Sequence, residues 1–94
     1  MDGFEWDPEK NASNLQKHGL SFKEAALIFS GPVLTGPAEN AEEYREKSFG
    51  LLKGSVVVCV VHTDRNGKIR IISARKATPN ERKHFDGYLK KALG

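Results

Sequence analysis

The chain reads as one α+β domain, and three observations predict it. Helix-start signals stand at Asp7-Pro8, at Ser21 to Glu24 and at Thr78 to Glu81. An apolar, β-branched run, Ser55 to Thr63, precedes a second strand-like run, Lys68 to Arg75, with Asp64-Arg65-Asn66-Gly67 between them. Strands joined by so short a turn pair antiparallel, and helices grouped at the ends of the chain pack on such a sheet instead of alternating with it. At 94 residues the chain suffices for a single domain, 1–94, with one core and little surplus.

Each element has a local reason. Phe4-Glu5-Trp6 alternates apolar and polar residues, which predicts a short edge strand. Asp7 is a good N-cap, Pro8 suits the first helical position, and Gly19 can close the helix in the left-handed conformation after His18. Ala12 and Leu15 are the clear apolar positions of that helix, so a narrow docking stripe is expected. Ser21 and Glu24 form a capping box for a second helix through Ala25, Ala26, Ile28 and Phe29, stopped by Gly31-Pro32. Val33-Leu34-Thr35 and Arg45 to Leu52 are further strand candidates, and the charged stretch Glu39 to Lys47 reads as a surface loop or a short helix. The last helix carries Phe85, Tyr88, Leu89 and Ala92 at helical spacing, with Lys90 and Lys91 in its final turn.

Composition narrows the function classes. With 38% apolar and 29% charged residues the chain is ordinary for a folded domain and unlike a disordered one. Its longest apolar run, Val56 to Val61, has six residues, far short of a membrane span. The acidic start, Met-Asp-Gly-Phe-Glu, predicts no secretory signal, and a single cysteine, Cys59, predicts no internal disulfide; both point to a cytoplasmic protein. The net charge of +3 divides unevenly: residues 1–47 hold five Lys/Arg against nine Asp/Glu, and residues 48–94 hold ten against three. A basic half of this kind suits a polyanion, nucleic acid first.

Candidate site residues follow from the hairpin. A two-residue Asn66-Gly67 turn pairs His62 with Ile71 and Thr63 with Arg70, and regular alternation then puts His62 on the face of Ser73 and Arg75. A three-residue turn would instead set His62 opposite Arg70. Arg70 and Arg75 are five apart, so they point to opposite faces unless the strand bends. Arg70, with Arg65 and Lys68, reads as an exposed basic surface, while Arg75 and Lys76 precede a helix N-terminus with which they can grip one phosphate. Lys17 and His18 end the first helix, where they either answer its dipole or join a site. His62 is either a packing histidine or a general acid/base, and His84 is expected on the surface. Neither the histidine spacing nor the lone cysteine suggests a metal site, and Glu39, Glu42, Glu43 and Glu46 read as a solvated face.

Three blocks carry a family resemblance. Phe4-Glu5-Trp6-Asp7-Pro8, then Asn14-Leu15-x-Lys17-His18-Gly19-x-Ser21-Phe22-x-Glu24-Ala25, then Ile69 to Thr78 with Glu81-Arg82, resemble the BrnT family of type II toxins. The resemblance implies a RelE-like fold, with a central antiparallel sheet packed by two N-terminal helices and one C-terminal helix. It also implies metal-independent RNA cleavage that arrests translation, with no cofactor. The implied partners are an RNA substrate and a BrnA-type antitoxin, with DNA reached only through the antitoxin. Carried over by position, the catalytic candidates are Lys17, His18, Arg75 and, loosely, Arg45. His62, where many relatives carry a tyrosine or another residue, joins them as a candidate acid or base by its own chemistry, and Arg65, Arg70 and Lys76 are candidates for binding RNA from the basic strands. The rival reading is a non-catalytic basic module that docks on nucleic acid or protein.

Overall fold

The computed structural model describes residues 3–39 and 43–93. Its elements run β1 (Phe4–Trp6), α1 (Pro8–His18), α2 (Phe22–Ala25), a 3-10 helix (Ala26–Ser30), β2 (Leu34–Pro37), β3 (Glu46–Leu52), β4 (Val56–Arg65), β5 (Lys68–Lys76) and α3 (Pro79–Leu93). The strands form one sheet in the order β1-β5-β4-β3-β2. Four of them run antiparallel as expected, but β1 joins β5 in parallel, pairing Phe4 with Ile69 and Trp6 with Ile71. A crossover through α1, α2 and the other strands separates β1 from β5, which is what a parallel pair requires.

Local signals explain where the helices begin and end. Asp7 caps α1 by accepting from the Glu9 amide, and Gly19 closes it at φ 69°, in the left-handed region that glycine enters without strain. The Ser21–Glu24 capping box is complete. The second helix is shorter than its apolar pattern predicts, tightening to 3-10 geometry at Ala26 ahead of Gly31-Pro32. Ile28 then sits against Gly50 so closely that a Cβ on that glycine would lie 2.7 Å from the Ile28 Cβ.

The docking of α1 differs from expectation. Ala12 and Leu15 are exposed, and the buried residue is Asn14. Its amide donates to the carbonyls of Leu20 and Ala74 at 2.9 Å, and its oxygen accepts from the Ala74 amide at 3.2 Å. Strand β1 covers β5 only as far as Ile71, so the Asn14 side chain takes over the free edge beyond it. Burying unpaired backbone groups is costly, and one asparagine here satisfies three of them.

The main core lies between the helices and one sheet face: Phe22, Ala25, Ala26 and Ile28 pack with Leu52, Val58, Val60, Ile71 and Ala74. Val57, Cys59 and Phe85 are buried outside that cluster, on the side of α3. Of the apolar α3 positions Phe85 is fully buried, Tyr88 and Leu89 are half-buried, and Ala92 is exposed, so only the near end of α3 is anchored. Of the acidic stretch, Glu42 lies outside the described residues.

Candidate active site on the open sheet face

Which side chains share a face is settled by register. Strand β4 pairs with β3 without interruption from Glu46–His62 to Leu52–Val56, so its odd residues point one way and its even residues the other. Against β5 the register slips once: Val61 pairs with Ser73 but His62 pairs with Ile71, leaving Ile72 as an extra residue. This is a β-bulge, and beyond it the alternation of β5 is reversed. Arg70 pairs with Thr63 and Arg75 with Cys59, and those partners are four apart on a regular strand. Five residues apart in sequence, the two arginines therefore occupy the same face.

That face is the one turned away from α1 and α2. Its rows run Glu5–Arg70–Thr63, then Ser73–Val61–Lys47, then Arg75–Cys59–Phe49. Beside the first row the Tyr44 carbonyl accepts from the Thr63 hydroxyl at 3.0 Å, and Arg45 follows it immediately ahead of β3. Helix α3 covers only one end, fixed by Ala77 donating to the Val57 carbonyl and Arg82 to that of Ser55.

The charges on it are held in different ways. Arg75 makes a two-pronged ion pair with Glu81, at 2.7 and 3.0 Å, and donates to the Lys76 carbonyl. Glu81 also accepts from the Thr78 amide at 2.8 Å. The guanidinium, with that amide, holds the Glu81 carboxyl at a pKa of about 2. The anion position that the helix start offers is thus filled from within by Glu81, which corrects the expectation that Arg75, Lys76 and free amides grip a phosphate there. Arg70 is paired with Glu5 at 2.8 Å. Arg45 has only a loose contact with Glu43 at 3.7 Å, and its Nε is buried with no hydrogen-bond partner among the described residues. Cys59 lies beneath this group; burial raises its thiol pKa, with Arg75 and Lys47 near enough to oppose the shift.

The remaining predicted residues lie elsewhere. Arg65 is exposed beside the hairpin turn, and Lys76 pairs with Val58, which puts it on the face opposite Arg75. Lys17 and His18 line a shallow groove of about 210 Å³ along the β5 edge, next to Ile72 and Ser73. His62 does not join the arginines. The turn pairs it with Ile71 as predicted, but the bulge puts it on the helix-covered face. There it is 6% exposed, its Nε2 lies 2.7 Å from the Ser48 hydroxyl, and its ring meets Phe29 edge-on at 5.3 Å. Burial lowers its pKa despite the nearby Glu46 carboxylate. A neutral, enclosed imidazole behind the sheet cannot exchange protons with a substrate on the other side.

Two residues outside the predicted set do reach the open face. Lys47 shares it with Phe49 in β3, and His84 is one helical turn beyond Glu81; both line a cleft beside Arg75. Alternation of Lys47 with Phe49 and Leu51, and the i to i+3 spacing of Glu81 and His84, were the available signals.

Comparison with known proteins fits this architecture. No curated protein matches the chain. It is similar to the ribonuclease toxin BrnT of Brucella abortus, known from a 1.1 Å crystal structure, with a TM-score of 0.60 and 26% identity over 78% of this chain and 92% of that one. A family model described as the ribonuclease toxin BrnT of type II toxin–antitoxin systems matches residues 6–81. With four-fifths of its length inside that match, and with the same α+β fold, the chain belongs to the BrnT family of ribonuclease toxins.

Proposed function

We propose that this chain is a cytoplasmic endoribonuclease that cleaves RNA on the open sheet face, without a metal ion, and so arrests translation. The ribose 2′-hydroxyl attacks the adjacent phosphorus, the bond to the 5′-oxygen breaks, and a 2′,3′-cyclic phosphate is left. The pentavalent transition state carries extra negative charge, which fixed cations stabilise most. Arg75, Lys47, Arg70 and Arg45 supply them. Arg75 has five N–H donors, of which its contacts with Glu81 and Lys76 use three, leaving two for a phosphate. Glu81 acts as a positioning residue that aims this guanidinium. Proton transfer is assigned to Lys17 and His18, which approach the same strand from the groove beside Ser73.

The observation that carries this reading is the bulge at Ile72, which gathers Arg70 and Arg75 on the face that α1 and α2 leave open. A BrnA-type antitoxin that covers this basic face would hold the toxin inactive and bring the complex to DNA through its own domain. The test is incubation of purified protein with RNA in EDTA. Cleavage products bearing cyclic phosphate are expected, along with their loss in a folded Arg75→Ala variant, which also relieves growth arrest. A mobility shift without fragments would mean a binding module instead.

A further inference from the structure

Beside Arg75 a cleft of about 360 Å³ opens between the β2–β3 edge and the first turns of α3. Leu34 and Phe49, paired across the two strands, give it an apolar floor. Lys47, Asn80, Glu81 and His84 form its rim. Gly36, paired with Lys47, leaves the entrance clear, since a Cβ there would meet nothing within 4 Å. The Glu81 carboxylate is ion-paired with Arg75 and accepts from the Thr78 amide, which weakens its repulsion of a polyanion. The exposed Asn80 side chain makes no hydrogen bond within the described residues, and its amide offers both a donor and an acceptor.

From this juxtaposition we infer that the cleft receives one unpaired nucleobase of the RNA strand whose phosphate lies on Arg75 and Lys47. The inference rests on the ribonuclease reading of the same face and adds a specificity subsite to it. A nucleobase is flat, apolar on its faces and polar at its edge, which matches an aromatic-lined floor with an amide at the rim. Lys47 belongs to both the cleft and the cationic face, so the strand passes from one to the other without crossing an apolar barrier. Phe49 supplies the ring surface, and Asn80 reads the base edge.

Binding of 2′-O-methyl oligonucleotides, which lack the attacking hydroxyl, tests the subsite without cleavage. One oligonucleotide keeps every base, and a matched set carries a single abasic position. For the unmodified chain one abasic position should weaken binding roughly five- to tenfold. In Gly36→Val, which fills the entrance, that penalty should shrink toward nothing, and in Asn80→Ala it should fall in part. Phe49→Leu keeps apolar volume but removes the ring, and should lose much of it. If the abasic penalty is absent in the unmodified chain, or persists in full in all three folded variants, the subsite is overturned. Cleavage mapping separates this from the parent reading. Variants that cut with unchanged base preference sink the subsite and leave the ribonuclease standing. Base-dependent binding without any cleavage in EDTA keeps the subsite and removes the ribonuclease.

Discussion

Arg75 and Glu81 show how one ion pair serves both fold and site. It ties the end of β5 to the first turn of α3 while leaving part of the guanidinium open to solvent. The folded Glu81 pKa of about 2 lies below its ordinary value of 4.5, so the pair contributes stability fully above pH 4.5 and loses it as pH falls toward 2. Arg75 keeps 39% of its side chain exposed. Solvent therefore screens the pair, and its contribution is about 1 kcal/mol. Urea unfolding at pH 7 and pH 3 should show wild type losing about that much more than Glu81→Gln; equal losses would refute the coupling. Cleavage by Glu81→Gln should fall as well, because Arg75 loses its orienting carboxylate. His62 has the opposite relation to function. Its folded pKa is lowered by burial, so the unfolded chain takes up a proton first and stability declines as pH drops below about 6.5. His62→Gln should remove that decline and cost about 1–2 kcal/mol at pH 7 through the Ser48 contact, while cleavage continues. Loss of cleavage in a folded His62→Gln protein would return this histidine to the mechanism.

At the scale of elements, what could be read ahead was whatever is decided within a few residues. Asp7-Pro8, the Ser21–Glu24 box, Gly19 and Asn66-Gly67 each fix a cap or a turn by local hydrogen bonding, and all appear where the sequence places them. The bulge depends instead on how β5 meets β4, and its trace is slight: Ile69 and Ile71 alternate, but the next core residue is Ala74, three positions on. Regular alternation assigned His62 to the arginine face and separated Arg70 from Arg75; one extra residue reversed both. Likewise Asn14 is polar, so the apolar pattern of α1 singles out Ala12 and Leu15 instead, whereas the free edge of β5 needs an amide. Deleting Ile72 tests the bulge directly. Without it Arg70 and Arg75 stand four apart, so one-to-one pairing keeps both on the open face, and the folded variant should still cleave RNA, as read by circular dichroism and RNA degradation. A folded but inactive deletion variant would show that a shared face for the two arginines is not enough for cleavage.

Across the whole molecule, the acidic N-terminal half and the basic C-terminal half are sorted by the fold. The helices on the covered face come from the acidic half, and the open face takes Arg70 and Arg75 from β5 together with Lys47 from β3, with Arg45 just ahead of that strand, both at the end of the acidic half. The charge arithmetic therefore points to a polyanion but not to this surface, because Lys47 and Arg45 come from the half with negative balance. Strand pairing, not composition, assembles the patch. If RNA binds there, each neutralised phosphate releases condensed counterions, and the slope of log affinity against log salt is about −0.7 per contact for a single strand. Three or four contacts give a slope of about −2 to −3. For an uncleavable oligonucleotide, Lys47→Gln should lower that magnitude by about 0.7, and so should Arg45→Gln, whereas Lys90→Gln with Lys91→Gln at the far end of α3 should leave it nearly unchanged. A slope governed by the α3 lysines would move the RNA off the open face and onto the helix.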